Sequence, residues 1–153
     1  MFGENTPKQS IEQILDERGE YISSTAGFSM YPMLRNRTDT IIIRKVDRPL
    51  KKHDVPLYRL KSGKLVLHRI LKVLPDGHFL IRGDNLYLNE NVAPEQIIGV
   101  LKEFYRDGKH YVCDDSAAYK WYVLWVRISY PRRFLWKHKM RPYLSKIKHS
   151  IFK

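Results

Sequence analysis

Between residues 40 and 112 the chain breaks into short apolar runs, each closed by a turn signal, a spacing that suits hairpins and little else. Thr40-Ile41-Ile42-Ile43 is one run, and residues 55–60, carrying Pro56, are another. Proline has no N–H to give to a ladder, so the second strand is expected at a sheet edge or beside a bulge. Lys61-Ser62-Gly63-Lys64 turns the chain into a longer run over 65–73, and Pro75-Asp76-Gly77 turns it again into 78–82. Gly83-Asp84-Asn85 interrupts. Residues 97–101 then open a last pair of strands, joined through Asp107-Gly108 to 110–112. Short strands at this spacing predict a mainly β fold of antiparallel sheets.

The flanks differ from this body. Residues 9–22 read as a short amphipathic helix, with Ile11, Ile14 and Leu15 on one face and Arg18 continuing the stripe. Ser10 or Thr6 is placed to cap it, and Gly19 weakens its end. At the other end, no acidic residue follows Asp115, while ten cations lie between Lys120 and Lys153. Those ten account for most of the net charge of +12, so residues 1–118 form a nearly neutral domain and 119–153 a basic, aromatic tail. Trp121, Trp125 and Ile128 recur at helical spacing, and Pro131 is expected to interrupt that helix. After Pro142, Leu144, Ile147 and Ile151 line one face of a second helix, opposite Lys146 and Lys148.

Basic amphipathic helices rich in Trp and Tyr suit the interface of an anionic membrane. The same aromatics would also pack on the β domain, and cations alternating with aromatics also suit nucleic acid. The membrane surface is the expected partner; nucleic acid is not. No run approaches the ~18 apolar residues of a spanning helix. The first residues, with Glu4, Lys8, Glu12, Asp16 and Glu17, lack signal-peptide character. Peripheral attachment is therefore expected. Cys113 is the only cysteine, so no internal disulfide and no Cys/His zinc cluster is available, and no cofactor is expected.

Four stretches carry candidate chemistry. In Gly27-Phe28-Ser29-Met30-Tyr31-Pro32-Met33-Leu34 a serine stands between a glycine and a proline. Gly27 has access to backbone angles closed to other residues, and Pro32 restricts its own φ and extends Tyr31. Such a turn mounts one hydroxyl rigidly, as a nucleophile requires, and many ordinary turns are built the same way. His68 interrupts an apolar strand, where a histidine is either a hydrogen-bonded core residue or a base. Asp84 sits in turn chemistry, and Glu90 in a polar loop six residues later.

The ordered set resembles the type I signal peptidase and SOS-repressor peptidase superfamily. Its serine box reads G-x-S-M-x-P-x-L, and residues 27–34 match every fixed position. Asp39 and Asp54, each before an apolar strand, are similar to the two aspartates that follow in the family. His68-Arg69-Ile70 resembles the basic box of the endoplasmic-reticulum type, Gly83-Asp84-Asn85 the Gly-Asp-Asn box, and Ile98-Gly99-Val100 the closing box. The likeness runs over residues 24–105. It departs in four respects. Bacterial members use a lysine as base where this chain has His68, with Lys64 four residues earlier on the same face. Glu90 stands where the endoplasmic-reticulum type has an aspartate. Thr38 and His53 replace glycines, and Gly27 replaces a serine that donates to the oxyanion in many bacterial members.

The resemblance implies a signal-peptidase-like antiparallel β domain of coiled sheets and a Ser-His-Glu mechanism. Ser29 would be the nucleophile, His68 its general base and Glu90 the group that orients the imidazole, with the Ser29 N–H as an oxyanion donor. Arg69 is expected to pair with Asp84 near the serine. Met30 and Tyr31 are candidate walls of the substrate pocket, Met30 equally a core residue. The implied activity is serine endopeptidase cleavage of signal or leader peptides at a membrane surface. Maturation of a small ribosomally made peptide is the alternative within the class, and a basic nucleic-acid-binding protein the alternative outside it.

Overall fold

The computed structural model describes residues 9–113 and 116–136 of the chain. Thr6 and the helix expected after Pro142 lie outside the described residues. The chain divides into two units, residues 1–114 and 115–153.

The first unit opens on helix α1, Ile11–Arg18. Ser10 caps it: its hydroxyl accepts from the Gln13 N–H while the Gln13 side chain accepts from the Ser10 N–H, which satisfies two donors at once. The helix is shorter than the 9–22 expected from its apolar face. It ends at Gly19, and Glu20–Ser24 forms a strand, β1, instead. Those five residues pair in register with β2, Thr40–Arg44, and the ladder outweighs a helical pattern that has lost its apolar period.

Seven more strands follow: β3 Pro56–Arg59, β4 Leu65–Leu67, β5 Arg69–Val73, β6 Phe79–Arg82, β7 Glu90–Val92, β8 Ile97–Arg106 and β9 Lys109–Val112. All the pairings are antiparallel. The larger sheet runs β1-β2-β8-β3-β4, with β9 also on β8, and it curls into a half-barrel. The smaller sheet is β5-β6-β7. Strand β3 is internal, so Pro56 does not mark an edge. It is the first residue of the strand, and the ladder to β8 shifts register between Leu57 and Tyr58, which is the bulge alternative. Gly99 on β8 admits β2 closely: a Cβ there would lie 2.7 Å from Ile43 Cγ2 and 2.9 Å from the Arg44 carbonyl.

The apolar run over 65–73 is two strands rather than one. β4 pairs with β3 in the larger sheet and β5 with β6 in the smaller, and His68 is the residue between them. There the chain leaves one ladder for another, because Ile70 exchanges backbone hydrogen bonds with His53 and Asp54 at 2.9 and 2.8 Å. Tyr58 from β3 packs with Ile70, Phe79, Ile81 and Val92 in the core between the sheets. Each such side chain contributes about 1.5–3 kcal/mol on burial, so the site near His68 stands on a rigid base.

Of the second unit, the described residues form helix α2, Ala117–Leu135, capped by the Ser116 hydroxyl on the Tyr119 N–H. Pro131 does not interrupt it, contrary to expectation. Its missing N–H removes one helical bond, and Ser129 Oγ and Arg133 Nη2 both donate to the Val126 carbonyl (3.2 Å each) next to the weakened turn.

Candidate active site

The serine turn is held from both sides. Gly27 has φ +92°, a left-handed conformation that costs most other residues free energy, and its N–H donates to Asn36 Oδ1 at 2.8 Å. The Tyr31–Pro32 peptide is cis. Met30, Met33 and Leu34 are buried and anchor the turn to the core. Below it Asp39, fully buried, accepts from Arg106 Nη2 at 2.7 Å, Arg106 Nε at 3.1 Å and the Arg35 N–H at 2.8 Å. Burial alone would raise the Asp39 pKa; Arg106 and Arg35 together more than offset it and hold the carboxyl below its usual range. The same Arg106 Nη2 donates to the carbonyls of Pro32 and Met33, so one partly buried ion pair fixes the backbone that follows Ser29.

The Gly83-Asp84-Asn85 loop closes over this turn. The Asn85 N–H donates to the Ser29 carbonyl at 2.8 Å and Asn85 Nδ2 to the Phe28 carbonyl at 3.1 Å. Gly83 fits because it has no side chain: a Cβ would stand 2.6 Å from the Ser29 carbonyl oxygen and 3.1 Å from His68 Cδ2. Ser29 and His68 thus flank the same glycine. The expected ion pair is formed and is bidentate, with Arg69 Nε on Asp84 Oδ1 at 2.8 Å and Nη2 on Oδ2 at 2.7 Å. Both side chains are nearly inaccessible, at 2% and 3%. Arg69 also donates to the His53 carbonyl at 3.1 Å and contacts Met33 Sδ at 2.9 Å, tying the His68 strand to the serine box. His53 itself has φ +81°, in the left-handed region that favours glycine.

His68 is 3% exposed. Its Nδ1 lies 3.3 Å from Glu90 Oε1 and 2.8 Å from the Tyr58 hydroxyl, which donates to Glu90 Oε2 at 2.6 Å. Glu90 is not in a loop, as its polar neighbours suggested, but is the first residue of β7, opposite Ile81. Burial pulls the His68 pKa below its ordinary value, and the attraction of Glu90 only partly restores it. Burial thus favours the neutral form of the imidazole.

These residues open on a groove of about 580 Å³ lined by Ser29, His68, Glu90 and Lys64. Its walls include β1 and β4, the two end strands of the curled sheet's path. Met30 is on the groove as well as in the core. Tyr31 is half exposed and is not among the described residues that line the groove. Lys64 approaches from an exposed turn and disfavours protonation of His68. Among the described residues, neither the N–H nor the Oγ of Ser29 has a hydrogen-bond partner, so Ser29 and His68 line the same groove without being hydrogen-bonded to each other. Among those residues no group of His, Cys, Asp and Glu is placed to hold a metal.

Sequence reasoning missed Tyr58 and Arg106. Tyr58 reads in the sequence as one more apolar residue of its strand, although a buried phenol needs a partner and so points to one. Arg106 stands just before the Asp107-Gly108 turn, and only the fold brings it to Asp39. No protein-family model and no curated protein matches the chain.

Proposed function

We propose that the chain is a serine endopeptidase of the signal-peptidase type, with Ser29 as nucleophile and His68 as general base. One observation carries the reading. A buried histidine, with a carboxylate oxygen 3.3 Å from its Nδ1, shares a groove with a turn-mounted serine whose N–H and hydroxyl have no partner among the described residues. The substrate would lie as an extended strand along the edges of β1 or β4, adding to the sheet by backbone hydrogen bonds. His68 Nε2 takes the Ser29 proton as Oγ bonds to the peptide carbonyl carbon. The Ser29 N–H receives the developing oxyanion. The tetrahedral species collapses, the C–N bond breaks, and the leaving amine takes the proton from His68. Water, deprotonated by the same imidazole, then hydrolyses the acyl-serine.

Signal or leader peptides are the substrates this reading favours, and α2 supports work at a membrane surface. Trp121, Leu124, Trp125, Ile128 and Leu135 fall within one stripe at helical spacing and are all exposed. Lys120, Arg127, Arg132 and Arg133 accompany them without an acidic residue. Such a face suits an anionic bilayer interface, where each cation adds about 1 kcal/mol. None of the described helices is long and apolar enough to cross a membrane.

The test is cleavage of leader-type peptides by the full chain, alone and with anionic vesicles. Ser29→Ala and His68→Ala should each lower kcat/KM by at least ~10³-fold, because the two act as a unit. Undiminished cleavage by Ser29→Ala would end the proposal. Failure of the full chain to sediment with anionic vesicles at low salt would end the membrane part alone.

A further inference from the structure

We infer that Tyr58 is a positioning residue of this site: its hydroxyl bridges Glu90 to His68 and holds the imidazole in the tautomer that leaves Nε2 bare. The inference rests on the reading of His68 as a base, and it concerns a residue outside every motif in the sequence.

Hydrogen counting forces the assignment. The Tyr58 hydroxyl has one proton and touches two groups, Glu90 Oε2 at 2.6 Å and His68 Nδ1 at 2.8 Å. An ionised carboxylate only accepts, and 2.6 Å is the length of an O–H···O⁻ bond. The proton therefore points to Glu90, and a lone pair of the hydroxyl faces Nδ1. Only a protonated Nδ1 completes that contact, so in the neutral ring the second nitrogen, Nε2, carries the lone pair. Glu90 Oε1 asks for the same tautomer, but from 3.3 Å, too far for a strong bond. Glu90 starts a strand of the smaller sheet, and the phenol of β3 spans the gap it leaves.

The mounting fits the role. Tyr58 is 0% exposed and packs among Ile70, Phe79, Ile81 and Val92, so its ring has no room to turn away. It meets the imidazole edge to face, with ring centroids 5.9 Å apart at 65°. Burial first, and then the bond to Glu90, push its own ionisation far upward, so the hydroxyl keeps its proton throughout the working range. The other charged groups acting on His68 are Asp84, which favours its cation, and Lys64, which opposes it. Neither is bonded to Nδ1, so the tautomer is set by Tyr58 with Glu90.

The experiment is ¹⁵N NMR of His68 in the full chain above its titration, for the wild type and for Tyr58→Phe, together with peptide kinetics on both. The wild type should show protonated Nδ1 and bare Nε2; the opposite tautomer overturns the inference with no variant needed. Tyr58→Phe should give a mixture of tautomers and lower kcat about 10- to 100-fold with little change in KM, by analogy with the loss when groups that orient a metal-bound histidine are removed. A residue that is only structural would lower stability and leave tautomer and kcat as they were, and that result also overturns the inference. A tautomer shift in a chain that cleaves no peptide would uphold the bridge and reject the peptidase instead.

Discussion

Gly83→Ala separates the site from the fold. A Cβ at this position would lie 2.6 Å from the Ser29 carbonyl oxygen, a backbone atom, and 3.1 Å from His68 Cδ2 and Leu86 Cδ1. Contacts of a real Cβ essentially never fall below 3.0 Å, so from 2.6 Å either the serine turn or the Gly-Asp-Asn loop must retreat by about 0.4 Å or more. The turn cannot retreat alone, because the Asn85 N–H holds the same carbonyl at 2.8 Å and Arg106 holds the backbone behind it. Crowding of this kind costs about 1–3 kcal/mol. A misplacement approaching 1 Å costs a reaction about 10²-fold. Gly83→Ala should therefore unfold at lower denaturant, by up to ~3 kcal/mol, and lose ten- to a hundredfold in kcat. Gly63→Ala is the control: its φ is +82° and nothing lies within 4 Å of its missing Cβ, so it should lose stability by strain and keep its rate. Equal rates for the two variants, at matched stability, would refute the claim that Gly83 seats the nucleophile.

Asp84→Ala strands the buried Arg69 guanidinium and should cost about 3–5 kcal/mol in denaturant unfolding; a loss under ~1 kcal/mol is what an exposed pair would give and would contradict the buried one. Because burial depresses the His68 pKa in the fold, the acidic limb of the kcat/KM profile should fall below the ordinary imidazole value of about 6.5 rather than at it. The same depression means that the unfolded chain binds the proton first: the His68 contribution to stability is whole above about pH 6.5 and is lost as the pH falls to the folded value, so unfolding midpoints should decline across that window and less so in His68→Gln. Lys64→Ala should cleave peptides nearly as well as the wild type; a dead Lys64→Ala beside an active His68→Ala would make the site a Ser-Lys dyad.

What was legible in the sequence follows from how local each feature is. Strands β2, β3, β6 and the β8–β9 hairpin carry their own apolar residues and turn signals, so they stand out. β1 and β7 do not. Glu20-Tyr21-Ile22-Ser23-Ser24 has no buried residue and Glu90-Asn91-Val92 only one, so pairing with β2 and β6, not pattern, makes them strands. The break at His68 is invisible because an apolar run does not state which sheet each half joins. At the site, the serine turn and the Gly-Asp-Asn loop are local motifs and could be read directly. The Arg69–Asp84 pair was expected from the resemblance, and the fold forms it. Tyr58 and Glu90 are 32 residues apart, and Asp39 and Arg106 are 67 apart, so no local pattern links them.

The central claim is that Ser29 is a nucleophile activated by His68. Its most direct test is mass spectrometry of the full chain after treatment with a fluorophosphonate, with the adduct mapped by peptide sequencing. The account predicts one phosphonyl group on Ser29, formed far more slowly in His68→Ala and at a nearly normal rate in Lys64→Ala. An unmodified Ser29, or one labelled equally fast without His68, would contradict it.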